Sequence, residues 1–357
     1  MTDQPEILFS RNGAIAIVTL NRPKALNSLT YDMVTQLGAH LDAWRDDDDV
    51  AAVVIEGAGE KAFCAGGDIR SLYDARQAGD REFLATFYRD EYVVNHAINT
   101  YPKPYIALID GYVMGGGAGV SVHGSHRVAT ERTRFAMPEV GIGLFPDVGG
   151  SWFLSRCPGE IGTYLGMTGA IINAADCLYA GIATHHTASA SLEDVKAALA
   201  GATWPGGPAN HDLATEILNA HTTDADMTGS VVAPERNSID ACFAGDSVEY
   251  IIDALTAQDD DWASATVDQM ISKSPTSLKV ALREIRCGKT LDLVGCMVME
   301  YRLSQSFMRG RDFWEGVRAV IVDKDKSPKW KPAHLSDVDD DEVTNYFESL
   351  GDKDLVL

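Results

Sequence analysis

Residues 111–150 read GYVMGGGAGVSVHGSHRVATERTRFAMPEVGIGLFPDVGG. A glycine triplet, Gly115–Gly117, enters an apolar run of helical character. Two carboxylates follow, Glu139 in Met137-Pro138-Glu139 and Asp147 in Phe145-Pro146-Asp147. Glycines let backbone N–H groups come close to a ligand, and carboxylates supply an acid, a base or a nucleophile. Backbone donors beside turn-mounted carboxylates suit a reaction that builds negative charge on a carbonyl oxygen.

Outward from this stretch, strand-like and helical segments alternate. Residues 6–10 and 14–20 read as a hairpin around Arg11-Asn12-Gly13. NRPKALNSL is a loop, and Thr30 caps a helix whose apolar face is Met33, Leu37, Leu41 and Trp44. Residues 50–56 form a buried strand, 82–100 a helix, and 104–110 a strand leading into the glycine triplet. A second strand pair is expected at 126–130 and 134–136. Asn173 reads as a helix cap and Gly181 as that helix's end. The alternation indicates an α/β layered fold. After a soft boundary near 187–210 the chain is mostly helical to about 321, with a further helix at 340–349. The expected domains are a core at 1–190 and a helical C-terminal region at 191–357 packing on it.

Composition narrows the function. The 357 residues are 45% hydrophobic, enough for a sizeable core. A net charge of −22 opposes nucleic-acid binding, though a few local cations can still hold phosphates. No window approaches a membrane span, and MTDQPEILFSRNG has no secretory pattern. That favours the cytosol or a matured organellar protein, and cytoplasmic is the expectation. Six cysteines include no C-x-x-C pair, so they read as reduced, mostly buried thiols.

Each candidate has an ordinary alternative. The loop Phe63–Asp68 lets a ligand carbonyl reach the Ala65 N–H, but it also describes a tight turn. The Gly116 N–H is an unpaired donor if a helix starts there; close helix packing explains the same glycines. The two loops together are more specific than either, because an oxyanion hole needs two convergent donors. Glu139 and Asp147 have Met, Val, Ile, Leu and Phe as neighbours, which favours desolvated carboxyls over solvated ones. His123, His126, His185 and His186 lack partners at metal spacing and read as structural.

KALNSL at 24–29, FCAGGDI at 63–69, GYVMGGGAG at 111–119 and MPE at 137–139 closely resemble the crotonase (enoyl-CoA hydratase/isomerase) superfamily, in its order and at its separations. The resemblance covers residues 1 to about 190. It implies a spiral core of repeated ββα units, a CoA-thioester ligand, and Ala65 and Gly116 N–H groups on the thioester oxygen. It places CoA near Lys24, Leu26 and the loop bearing Ala65, Gly67, Asp68 and Ile69. Hydratases of this family carry a second glutamate where this chain has Gly119, and a small residue where it has Asp147. Both departures resemble the 3-hydroxyisobutyryl-CoA hydrolase branch of valine breakdown. So do GGGAGVSVHG at 115–124, FAMPEVGIGLFPDVGG at 135–150 and the segment 299–333. That branch implies a substrate pocket of Glu91, Gly116, Glu139 and Asp147.

The expectation is therefore hydrolysis of a short branched β-hydroxyacyl-CoA, with Glu139 and Asp147 catalytic. No metal or separate cofactor is implied, since CoA is part of the substrate. An acyl-CoA is the partner, without nucleic acid or membrane, and a homo-oligomer is left open. The alternatives are an enoyl-CoA hydratase or isomerase, and a non-catalytic acyl-CoA-binding protein.

Overall fold

The hairpin of β1 (Ile7–Asn12) and β2 (Ile15–Leu20) starts the fold of this computed structural model, which describes residues 4–357. Asn12 pairs with Ile15, so the turn is Gly13-Ala14 and Arg11 and Asn12 stay in the strand. Gly13, at φ +57, supplies the left-handed step that a two-residue turn needs. Thr30 caps α1 (Tyr31–Arg45) by accepting the Met33 N–H, and Met33, Leu37, Leu41 and Trp44 are buried.

Parallel strands β3 (Ala52–Gly57), β5 (Tyr105–Ile109), β7 (His126–Ala129) and β9 (His185–His186) extend the hairpin into a sheet ordered β1-β2-β3-β5-β7-β9. Short strands β4 (Ala62–Cys64), β6 (Tyr112–Met114) and β8 (Arg134–Ala136) form a second sheet. Each turn of the chain therefore gives one strand to each sheet and then a helical segment, which is the ββα spiral. The strands expected at 126–130 and 134–136 exist but do not pair with each other. β7 lies between β5 and β9, and β8 joins the smaller sheet.

Helices α2 (Ile69–Ala78), α3 (Arg81–Asn99), α4 (Gly116–Gly119), α5 (Gly150–Leu154), α6 (Ile161–Thr168) and α7 (Ala174–Tyr179) alternate with these strands. Asn173 caps α7 through the Asp176 N–H at 2.9 Å, and Gly181 lies just beyond its end at φ +75. From residue 192 the chain is helical: α8 (Leu192–Gly201), α9 (Ala209–Ala220), α10 (Arg236–Cys242), α11 (Val248–Gln258), α12 (Asp261–Ile271), α13 (Pro275–Gly288), α14 (Leu293–Arg309), α15 (Asp312–Val317) and α16 (Asp340–Tyr346).

The chain divides into two compact units. The first comprises Met1–Asp68, Val93–Phe135 and Ile172–Ala233; the second comprises Ile69–Tyr92, Ala136–Ile171 and Pro234–Leu357. In the first, Val195 and Leu199 of α8 and Ala214 and Leu218 of α9 pack on Ile15, Val54, Ile106 and Val128. Strands covered on both faces carry near-continuous apolar runs, as AVVI and YIALI do. The second unit is helical around α13 and α14, whose N-caps Ser274 and Asp292 accept from Ser277 and Gly295. No helix among the described residues is long and apolar enough to cross a membrane.

Candidate active site

In the first unit, β4 runs into the loop 65–68, which is zipped to residues 26–29. The Ala65 N–H donates to the Leu26 carbonyl at 3.0 Å, Leu29 N–H to Gly66 O at 2.9 Å, and Asp68 N–H to Leu29 O at 2.7 Å. Without a ligand present, the Ala65 N–H is thus engaged by the Leu26 carbonyl. Among the described residues, the Gly66 and Gly67 N–H groups have no protein acceptor.

The Gly116 N–H, at the start of α4, is likewise without a protein acceptor; the first donors of that turn with partners are Ala118 and Gly119, both on Gly115 O. Small residues set the distance between the two loops. A Cβ on Gly117 would sit 2.2 Å from Cys64 O, and one on Gly66 would lie 4.0 Å from Gly116 N. The loop ends of β4 and β6 thus bring open N–H groups into one neighbourhood.

Lys24 and Leu26 line a cavity of about 400 Å³ with Asn27, Ala58, Glu60 and Lys61. Asn27, which the sequence reading passed over, shapes its wall. Its fully buried amide donates to Ala58 O and Ala62 O at 2.9 and 2.8 Å and accepts the Arg22 N–H at 2.9 Å. Both Leu26 and Asn27 are left-handed, at φ 52 and 56, so this side-chain anchoring maintains an otherwise costly turn. Asp68 pairs with Arg22 at 3.0 Å, so its carboxylate is already neutralised within the protein. Ile69 opens α2 and belongs to the second unit.

The second unit gathers the carboxyls. Glu139 is the first residue of a 3-10 turn, Glu139–Ile142, after Pro138. It is 6% exposed, and its Oε2 has no partner. Glu91 on α3 is 3% exposed with an unpartnered Oε1. Asp147 accepts a hydrogen bond from the Tyr92 hydroxyl at 3.3 Å. Burial pushes Asp147 up to about 7, against its own turn's N–H and the Tyr92 hydroxyl, which pull it down. Burial raises Glu139 well above the usual carboxylate range, and Asp147 and then Glu91 add to it. Glu91 is raised by burial and then by Asp147. Three buried carboxyls that raise one another favour shared protons over full ionisation.

Two tyrosines complete this cluster. Tyr88, Glu91 and Tyr92 share one face of α3, at the i, i+3, i+4 spacing. Burial raises Tyr88 as well, followed by the charges of Asp147, Glu91 and Glu139. The Y-x-x-E-Y spacing was the available signal for both tyrosines. The histidines have neutral partners: His126 meets Ser125 Oγ and Thr215 Oγ1, His185 Thr184 Oγ1, and His186 Thr223. All six cysteines are free, and five are buried.

Known proteins resemble this chain over nearly its whole length. A family model described as enoyl-CoA hydratase/isomerase matches residues 15–347. A protein named 3-hydroxyisobutyryl-CoA hydrolase, mitochondrial, from Gallus gallus is 46% identical, covering 99% of this chain and 91% of its own. The Homo sapiens protein of the same name is 45% identical, over 98% and 90%. A solved structure described as a carnitinyl-CoA dehydratase from Mycobacterium thermoresistibile has a TM-score of 0.90 at 40% identity, covering 98% of both chains. One described as an enoyl-CoA hydratase from Rhodobacter sphaeroides has 0.89 at 35%, over 99% and 100%. The word mitochondrial in the relatives' names overturns the cytoplasmic expectation. A missing secretory pattern does not separate the cytosol from an organelle.

Proposed function

The chain belongs to the enoyl-CoA hydratase/isomerase family, and from that premise we infer that it hydrolyses 3-hydroxyisobutyryl-CoA to the free acid and CoA, a step of valine breakdown. It is an acyl-CoA thioester hydrolase. The observation that carries this reading over hydration is the distribution of carboxyls. α4 is Gly-Gly-Ala-Gly, so Gly119 offers no second acid or base, whereas Glu139, Asp147 and Glu91 cluster.

The assigned chemistry follows from these groups. The Gly116 N–H and an N–H of the loop that Ala65 opens donate to the thioester oxygen as it gains charge, each worth about 3 kcal/mol where such donors have been removed elsewhere. Glu139, in its ionised form, either attacks the acyl carbon, giving a mixed anhydride that water then cleaves, or takes a proton from water as it attacks. Either way the C–S bond breaks and the CoA sulfur leaves as a thiolate that is then protonated. Asp147 titrates near neutrality, so it can take up and return a proton within one turnover. Glu91 receives the β-hydroxyl. Lys24 and Lys61, at the cavity beside Leu26, meet the CoA phosphates.

The test follows CoA release with a thiol reagent on 3-hydroxyisobutyryl-CoA, and loss of enoyl absorbance on crotonyl-CoA, at equal protein concentration. Rapid CoA release with little enoyl loss is the expected pair of results. Fast enoyl loss without CoA release overturns the assignment in favour of a hydratase.

A further inference from the structure

Glu300 lies in the middle of α14, is fully buried, and reaches a turn about 150 positions away in sequence. Its Oε2 accepts the Gly149 N–H at 2.6 Å. Its Oε1 accepts the Ser151 N–H at 2.9 Å and the Ser151 hydroxyl at 2.5 Å. These donors follow directly on Asp147. Between them the backbone takes two successive left-handed steps, Val148 at φ 54 and Gly149 at φ 84, and the Gly150 N–H closes on Asp147 O at 2.8 Å.

A β-branched residue in the left-handed region is costly and persists only where its surroundings fix it. Glu300 bonds the residue that follows Val148 and the one two further on. Burying a carboxyl costs several kcal/mol, which an apolar residue at this helix position would avoid. Packing therefore does not explain a glutamate here, whereas three donors aimed at its two oxygens do. Burial raises Glu300 to about 8 while the Ser151 and Gly149 donors pull it down.

We propose that Glu300 is a positioning residue for the hydrolysis: by gripping Gly149 and Ser151 it holds the turn that presents Asp147. This rests on the assignment of Asp147 to that reaction. Both oxygens of Glu300 face donors, so an amide of the same shape would turn its NH2 group against one of them.

Glu300→Gln is compared with wild type on 3-hydroxyisobutyryl-CoA, with a thermal melt on each preparation. The expected result is kcat lower by about tenfold or more with KM within about twofold, because the damage falls on the placement of a reacting group. Ser151→Ala removes one of the three bonds and lowers kcat by roughly threefold in the same manner. If Glu300→Gln does not fold, Ser151→Ala decides alone. A folded Glu300→Gln protein with wild-type kcat overturns the proposal, as does a loss confined to KM, or wild-type kcat in Ser151→Ala when that variant decides. Wild-type protein that releases no CoA overturns both the proposal and the reaction it rests on. CoA release by wild type, with unchanged kcat in the variants, overturns the role of Glu300 alone.

Discussion

The Tyr92 hydroxyl and Asp147 Oδ2 meet at 3.3 Å across 55 positions of chain. Tyr92 lies one residue beyond Glu91 on α3, so one helical turn carries both a member of the carboxyl cluster and the donor that biases another.

Tyr92→Phe removes a hydrogen bond that favours ionised Asp147. Its pKa then rises, because only the charged form loses a partner. The acid-side limb of the kcat profile should move to higher pH, with turnover at pH 6 lower by about threefold to tenfold and little change at pH 9. A pH profile from 5 to 9 on both proteins measures this. A limb that stays in place, or moves to lower pH, would contradict the link.

Glu139→Gln should lower thioester hydrolysis by about a thousandfold or more, since an amide is neither a nucleophile nor a base. Folding should be preserved, because the amide keeps the size of a side chain whose charged form burial already disfavours. Turnover and melting temperature on one preparation, with CoA binding by calorimetry, separate chemistry from folding. Wild-type turnover in the folded variant would sink the assignment.

Gly117→Ala tests the approach of the two donor loops. The added methyl would lie 2.2 Å from the Cys64 carbonyl, so backbone must move. The expected loss in kcat is about tenfold or more, by displacement of the Gly116 donor, together with a lower melting temperature. Retained kcat in this variant would show that the spacing between the loops does not govern the reaction.

Much of this was legible in the chain. FCAGGDI, the glycine triplet and the two Pro-carboxylate turns mark their loops because glycine and proline act through local backbone geometry. The partner of the Ala65 N–H was not legible. It depends on Leu26 and Leu29 lying alongside the loop and taking the Ala65 N–H into their ladder. Glu284 and Glu300 were also hidden, and Tyr88 and Tyr92 were marked only by their spacing around Glu91. Each sits within a longer helix whose spacing is that of ordinary amphipathic packing, and only the fold brings them to residues 139–151. The hairpin turn shifted for a comparable reason: pairing to Asn12 and Ile15 fixed it at Gly13-Ala14.

Glu284 on α13 yields a stability prediction. It is fully buried, and neither carboxyl oxygen has a partner. Burial, then Glu300 and Asp147, raise it well above the usual carboxylate range. The folded chain thus retains a proton that the unfolded chain releases. Its contribution to stability is greatest below pH 4.5 and declines as pH rises towards the folded pKa. The decline is about 1.4 kcal/mol per pH unit for one retained proton. Glu284→Gln keeps the neutral shape and removes this dependence, so its melting temperature should exceed that of wild type by more at pH 8 than at pH 5. An equal difference at both values would contradict a neutral Glu284.

The left-handed Val148 places a conformational cost beside Asp147, the group proposed to react. Relief of that cost would favour the folded chain as a whole while releasing Asp147 from its direction. Thermal robustness and turnover therefore pull this turn in opposite directions. A search for heat-stable variants that scores melting alone would select against the geometry the reaction needs, and glycine at 148 is where that conflict would surface first.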